Sequence, residues 1–401
     1  MTEVKYILSA LLSAALYPAV DACTSWVIHP SATQSGMMIV QKCRDSYRSE
    51  LDADIKISPR GIKYLRIGGN RHYPLFGMND RGVAVTMNDG DRTDGLKHPE
   101  GERTGIYATT TIKLLISNCE SARQAVDMLL HIGRDKLKKG GNATYFVADA
   151  KEAFMIEVAH GYAEVQEITC GLTVISNTWH LPGGEEIATK TYTSIRGDRA
   201  REANTRASLK NARVDGKYTV RGCFDTSRRK SKKELNEYFP FRHGDGKRPW
   251  MSLGCVCFEI DREFPAFLSY GYMALGPQQQ TIYLPIPMAI DQLPEKIRDG
   301  RWAQLAYELK DAGGDDQPSI ADFARLEDKF LAEVNAARDR ARQLLKAGKK
   351  DEAVKLLDDC FSRQFAEADL LLTRIHDRVV ADAEKKKAEA AAQQPRQPEQ
   401  K

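Results

Sequence analysis

The sequence predicts an α+β sandwich of antiparallel strands with helices inserted in blocks. Three observations carry this. Short β-like runs such as "TSWVIHP", "GMMIVQKC", "DADIKIS" and "IKYLRIG" follow one another through turn signals, without a helix between each pair. Apolar residues at helical spacing are confined to Thr110–Leu137 and to the last quarter of the chain. A chain of 401 residues with 42% hydrophobic content can also bury a sizeable core, enough for one large or two ordinary domains.

The first element is a leader. Tyr6 to Val20 ("YILSALLSAALYPAV") is apolar, of signal-peptide length, and too short for a comfortable membrane span. It ends in Pro18 and then Val20-Asp21-Ala22, so cleavage after Ala22 exposes Cys23 and predicts a periplasmic or secreted protein. No later stretch is apolar and long enough for stable membrane insertion. The competing reading is a non-catalytic lipoprotein acylated on Cys23, acting as an envelope binding module; Asp21 is a poor residue for that processing.

After the leader, "TSWVIHP" and "GMMIVQKC" are joined by the Gly-containing "SATQSG", which predicts a hairpin. "GVAVTMN", "ATYFVADA", "AFMIEVA", "AEVQEI" and "LTVISN" extend the strand series, and Thr110–Leu137 supplies one or two helices. Beyond "GDGKRPWMSLGCVCFEI", the runs "FLSYGYMALG" and "TIYLPIP" read as further strands. From Ser319, with Asp322 three residues on as in an N-cap box, Phe323, Leu326, Phe330 and Val334 mark an amphipathic helix. A break near Gly348 and a second run over Glu352–Val380 complete a helical hairpin, a packing surface that also offers a route to homo-oligomers. The predicted organisation is a leader over 1–22, a catalytic domain over 23–300, a helical extension over 301–382 and a disordered polar tail over 383–401.

The charge balance is nearly even, 59 basic against 55 acidic residues for a net +4, so the total gives no support to nucleic-acid binding. The basic run "SRRKSKK" (Ser227–Lys233) reads as a solvated loop. The eight cysteines are irregularly spaced. Cys255 and Cys257 lie two apart in one strand and share a face; buried packing is the expected role, with no metal site and no cofactor implied.

A cysteine freed at an N-terminus carries an α-amine that can take its thiol proton directly or through one water. Such a site needs a carboxylate for the amine, a cation near the thiol and amide donors for the oxyanion. The second β-run ends in "QKCRDS", which supplies Asp45 and two cations, Lys42 and Arg44, that a hairpin brings back toward Cys23.

From "ACTSW" onward the chain resembles the N-terminal nucleophile hydrolases of the choloylglycine hydrolase and penicillin V acylase superfamily, nearest to the cysteine dipeptidase branch. "KCRDS" looks like that family's Arg-Asn-x-Asp segment, with Lys42 where arginine is usual and Cys43 where asparagine is usual. "FGMNDRGVAVTMND" and "YFVADAKEAFMIEVAHGYAEVQEITCGLTVISNTW" resemble its two strand blocks that end in asparagine. "SIRGDRARE" resembles a segment carrying a further arginine, and "FPFRHGDGKRPWMSLGCVCFEI" and "SYGYMALGPQQQTIYLPIP" resemble the dipeptidase branch. The resemblance spans roughly Cys23–Pro287. It implies a four-layer αββα sandwich, Cys23 as nucleophile, Asp45 holding its amine, Asn88 and Asn177 at the oxyanion, and Arg196 or else Arg199 as the arginine. Lys42, Arg44 and His243 are the expected substrate contacts. The substrate class it implies is small linear amides, dipeptides first and N-acyl amides of the penicillin V or bile-salt type second, with acyl transfer open to the same residues.

Overall fold

The computed structural model describes residues 23–47, 51–69, 73–90, 106, 108–135, 142–159, 161–187, 192–230, 240, 250–313 and 317–393. Thirteen strands among them form two antiparallel sheets. The first sheet has six strands: β1 (Thr24–Ile28), β2 (Met38–Tyr47), β10 (Leu172–Ile175), β11 (Trp250–Ile260), β12 (Tyr270–Leu275) and β13 (Leu284–Pro287), in the order β10-β1-β2-β11-β12-β13. The second is a meander in chain order: β3 (Asp52–Ile57), β4 (Lys63–Gly69), β5 (Tyr73–Asn79), β6 (Ala84–Asp89), β7 (Ala143–Ala148), β8 (Ala153–Ala159) and β9 (Tyr162–Glu167). The strand runs anticipated from alternation all lie in these elements.

Side-chain alternation assigns each sheet two buried faces. Val27, Val40, Val256, Phe258 and Met273 of the first sheet interlock with Leu65, Ile67, Phe76, Met78 and Phe146 of the second. Residues one step away point outward. Trp26, Ile39, Cys255 and Tyr272 pack under Leu209 of α3 (Tyr192–Asn211), Phe224 of α4 (Val220–Ser227), Val334 of α6 (Gln317–Lys346) and Leu357 of α7 (Lys350–Gln393). Val85, Met87, Tyr145 and Ile156 pack under Ile112 and Leu115 of α1 (Ala108–Asn118) and Val126 and Leu129 of α2 (Ala122–Asp135). The layers are therefore helix, sheet, sheet, helix, as the resemblance implies.

The C-terminal helices are fastened to the strands. Trp302 of α5 (Arg301–Asp311), Phe323 and Phe330 join the core between the sheets and their cover. Glu327 of α6 is fully buried; it accepts from Arg228 at both oxygens (2.5 and 2.6 Å) and from the Tyr283 amide at 2.8 Å. Arg228 belongs to the basic run read as a solvated loop, and the structure corrects that: it is buried, because Glu327 and the carbonyls of Gln278 and Thr281 take its donors. Helix α7 also runs to Gln393, through residues assigned to a disordered tail. The Lys, Glu and Ala of this stretch are strong helix formers, so a helix begun by packing upstream continues through it.

Candidate active site

The site lies where the apolar filling between the sheets gives way to charge. β1 and β2 pair with Thr24 opposite Cys43 and Val27 opposite Val40, and period-2 alternation then sets Val40, Lys42 and Arg44 on the inner face with Ser25 and Val27. β2 is paired with β11 along its whole length and with β1 over Ile39–Cys43, which fixes the backbone from which these side chains project. Facing them from the second sheet is the end of β6, Asn88-Asp89.

Cys23 is fully buried, and its Sγ accepts from Arg44 Nη1 at 3.2 Å. The same Nη1 bonds Asp89 Oδ2 at 2.9 Å. Asp89 is held below the usual carboxylate range: burial works against this, and Arg44 and then Lys42 outweigh it. Lys42, fully buried on the same strand, donates to Asn88 Oδ1 at 2.5 Å and lies near enough to the Cys23 thiol for each to influence the other's charge. Burial lowers its pKa from the ordinary lysine range, the neighbouring thiol opposes the shift, and the Arg44 charge adds to it. Both candidate cations thus lie on the Cys23 side of the strand, Arg44 in contact with the sulfur and Lys42 beside it.

Asn88 differs from the expectation. Its Oδ1 accepts from Lys42 and from Ser25 Oγ (2.7 Å), while Nδ2 donates to the carbonyls of Ser176 (2.8 Å) and Ile175 (3.4 Å). An ammonium can only donate and a carbonyl can only accept, so this environment fixes the amide's orientation. With both amide hydrogens given to backbone carbonyls, Asn88 holds Lys42 rather than donating to an oxyanion.

Asn177 sits in the loop that follows β10. Its Nδ2 donates to the Asp89 carbonyl (2.8 Å), and its Oδ1 accepts from Arg201 Nη2 (3.2 Å). Arg201 also reaches the Cys23 carbonyl at 3.4 Å and is held by Asp198 at 2.7 Å. Arg201, buried on α3, is thus the described arginine of this segment that reaches Cys23, where Arg196 or Arg199 was expected. The Arg196 side chain lies outside the described part, and Arg199 turns to the Trp179 carbonyl. The reason is helical geometry: Asp198, Arg201, Glu202, Thr205, Ser208 and Leu209 form the buried stripe of α3.

Asp45 is buried and accepts from Ser252 Oγ of β11 at 2.6 Å. Asp45 follows Arg44 on β2 and is paired in register with Ser252 of β11. His243 lies outside the described residues.

A second group, which sequence reasoning missed, clamps the Asn177 loop. Glu202 accepts from Ser176 N and Oγ (both 2.8 Å), Thr178 Oγ1 (3.1 Å) and His180 Nε2 (3.0 Å). Glu157 accepts from the amides of His180 (2.6 Å) and Leu181 (3.0 Å) and faces His180 Nδ1 at 3.3 Å. Burial disfavours the imidazolium, but the two carboxylates prevail and hold the His180 pKa up at about 9. Glu202 is held at about 2, chiefly by His180, against the opposing effect of burial.

Among the described residues no group of three or more His, Cys, Asp or Glu could hold a metal ion, and no helix is long and apolar enough to cross a membrane. The chain matches no family model and no curated protein sequence. It is similar to several solved structures. A variant of conjugated bile acid hydrolase from Clostridium perfringens is 11% identical with a TM-score of 0.42, over 66% of this chain and 92% of that one. Penicillin V acylase from Agrobacterium tumefaciens is 13% identical with a TM-score of 0.38, over 64% and 84%. The Caenorhabditis elegans ortholog of N-acylethanolamine-hydrolyzing acid amidase is 15% identical with a TM-score of 0.39, over 59% and 92%.

Proposed function

We propose that this protein is an exported cysteine amidohydrolase of the N-terminal nucleophile type, acting on small linear amides with dipeptides as the preferred class. One observation carries the reading: the Cys23 thiol is buried under two cations from the neighbouring strand, with the Asn177–Arg201 pair at its own carbonyl. A structural cysteine needs none of these groups, whereas a thiolate nucleophile needs all of them.

In this mechanism Cys23 Sγ attacks the amide carbonyl and forms a tetrahedral oxyanion. Asn177 and the Arg44, Lys42 and Arg201 cations supply its stabilisation. The C–N bond breaks as the leaving amine is protonated, and water resolves the thioester. When cleavage after Ala22 makes Cys23 the first residue, its α-amine is one base for the thiol, and Asp45, buried on β2, is the carboxylate assigned to hold that amine. The buried thiol, engaged by Arg44, is a poor attachment point for lipid and counts against the lipoprotein reading.

The test is hydrolysis of a dipeptide panel and an N-acyl amide panel by the chain beginning at Cys23, with Cys23→Ala as control. Mass spectrometry of the quenched reaction should find the acyl group on Cys23. Equal turnover by Cys23→Ala would end the proposal.

A further inference from the structure

Lys42 is placed as more than a fixed cation. It projects from the centre of a sheet, is fully buried, donates to the Asn88 carbonyl oxygen, and is paired in register with Ser25, two residues from Cys23 on the same face, so that it lies beside the thiol that Arg44 contacts. The amide orientation of Asn88 is locked from behind by the Ile175 and Ser176 carbonyls, and Ser25 Oγ fixes its oxygen from the side. The ammonium is thus aimed at the sulfur by groups that carry no charge.

Charge is arranged around it unevenly. Arg44 on β2 pairs with Asp89 on β6, and Arg201 on α3 pairs with Asp198. Among the described residues no carboxylate forms an ion pair with Lys42; Asp89 and Asp198 are matched to arginines, and Asp45, further along the same strand, accepts from Ser252. A buried ammonium without a matched anion favours its neutral form, and the thiol beside it is the group with which it can exchange a proton. An arginine in the same place would keep its proton throughout.

We propose that Lys42 is a proton acceptor for Cys23 Sγ in its own right, so that the nucleophile is activated while the peptide bond before Cys23 is still intact. This rests on the reading of Cys23 as nucleophile and differs from it in the base. Neutral Nζ takes the S–H proton, and the S–C bond forms as the carbonyl pair moves onto oxygen. Collapse of that intermediate breaks the C–N bond, and the Lys42 ammonium gives its proton to the leaving nitrogen. Lys42 then takes a proton from the water that attacks the thioester, and returns it to sulfur when the C–S bond breaks.

The experiment compares the full chain, shown by intact mass to retain residues 1–22, with the form beginning at Cys23. Each is made as wild type, Lys42→Arg and Lys42→Met. Amide hydrolysis is measured, together with iodoacetamide alkylation of Cys23 against pH, located by mass spectrometry. Hydrolysis by the full chain is expected, with a loss of roughly 10²–10⁴-fold in both Lys42 variants, the range for removal of a general base. Lys42→Arg should keep alkylation at pH 9 within a few-fold, since the charge beside the thiolate remains. An inert full chain beside an active Cys23-first form would overturn the inference, as would hydrolysis within threefold of wild type in both variants. If no form turns over any amide, the amidohydrolase reading fails, and the alkylation profile decides the proton exchange alone. An inflection displaced by a pH unit or more in Lys42→Met upholds it, and an unchanged profile refutes it.

Discussion

Replacing His180 by Gln should cost stability in a way that depends on pH with a calculable sign. In the folded protein Glu157 and Glu202 raise the His180 pKa to about 9, against about 6.5 in an unfolded chain. A group whose folded pKa is raised contributes in full below its unfolded pKa and loses the contribution as pH climbs through the folded value. Linkage over these two values gives about 3 kcal/mol at pH 6, about 2 kcal/mol at pH 7.5 and nearly nothing at pH 9.5. The depressed Glu202 pKa describes the same contact from its other side and is not added. The window at the acid end is its own, with stability present above about pH 4.5 and lost toward pH 2. The assay is urea unfolding of wild type and His180→Gln at pH 6, 7.5 and 9.5. A difference that stays constant across that range would show that the cluster does not bind its proton as argued.

Arg201→Met with Asp198→Asn, which avoids leaving a buried carboxylate unpaired, should lower kcat by roughly 10–100-fold, with KM changed far less, because it removes the donor that holds Asn177 beside the Cys23 carbonyl; Arg201→Lys should keep only part of the activity, and full activity in the double variant would refute the placement. Glu327→Gln should destabilise the protein by about 3–5 kcal/mol, since it leaves Arg228 buried without its counter-charge. The double replacement Arg228→Met with Glu327→Leu should recover much of that in thermal unfolding, and a double variant no better than the single one would argue against the buried pair as the cause.

What could be read in the sequence follows the reach of its periodicities. Alternation fixed the faces of the strands, so Cys23, Lys42 and Arg44 could be brought to one place before any coordinates. Asn88 and Asn177 were legible as residues at strand ends, but the direction of an amide depends on which carbonyls lie behind it. Ile175 and Ser176, 87 and 88 residues away from Asn88, decide that. Arg201 was hidden for a different reason. The buried stripe of α3 is polar, so a search for apolar residues at helical spacing passes over it, and three arginines within six positions look alike. The Glu157–His180–Glu202 clamp joins a strand, the loop after β10 and a helix, and nothing local to any of the three residues announces it.

These misses bear on the chemistry. With Asn88 turned to backbone carbonyls, charge developing on a substrate oxygen meets cations more than amides. Two of the three cations are already neutralised, Arg44 by Asp89 and Arg201 by Asp198, and serve as fixed donors. Among the described residues Lys42 forms no ion pair, and under the proposed mechanism its proton follows the reaction: present when negative charge sits on sulfur or oxygen, absent when the thiol must be deprotonated. Under that proposal, a lysine in a position where the resemblance expects arginine is a change of chemistry, because only one of the two side chains can hand its proton over.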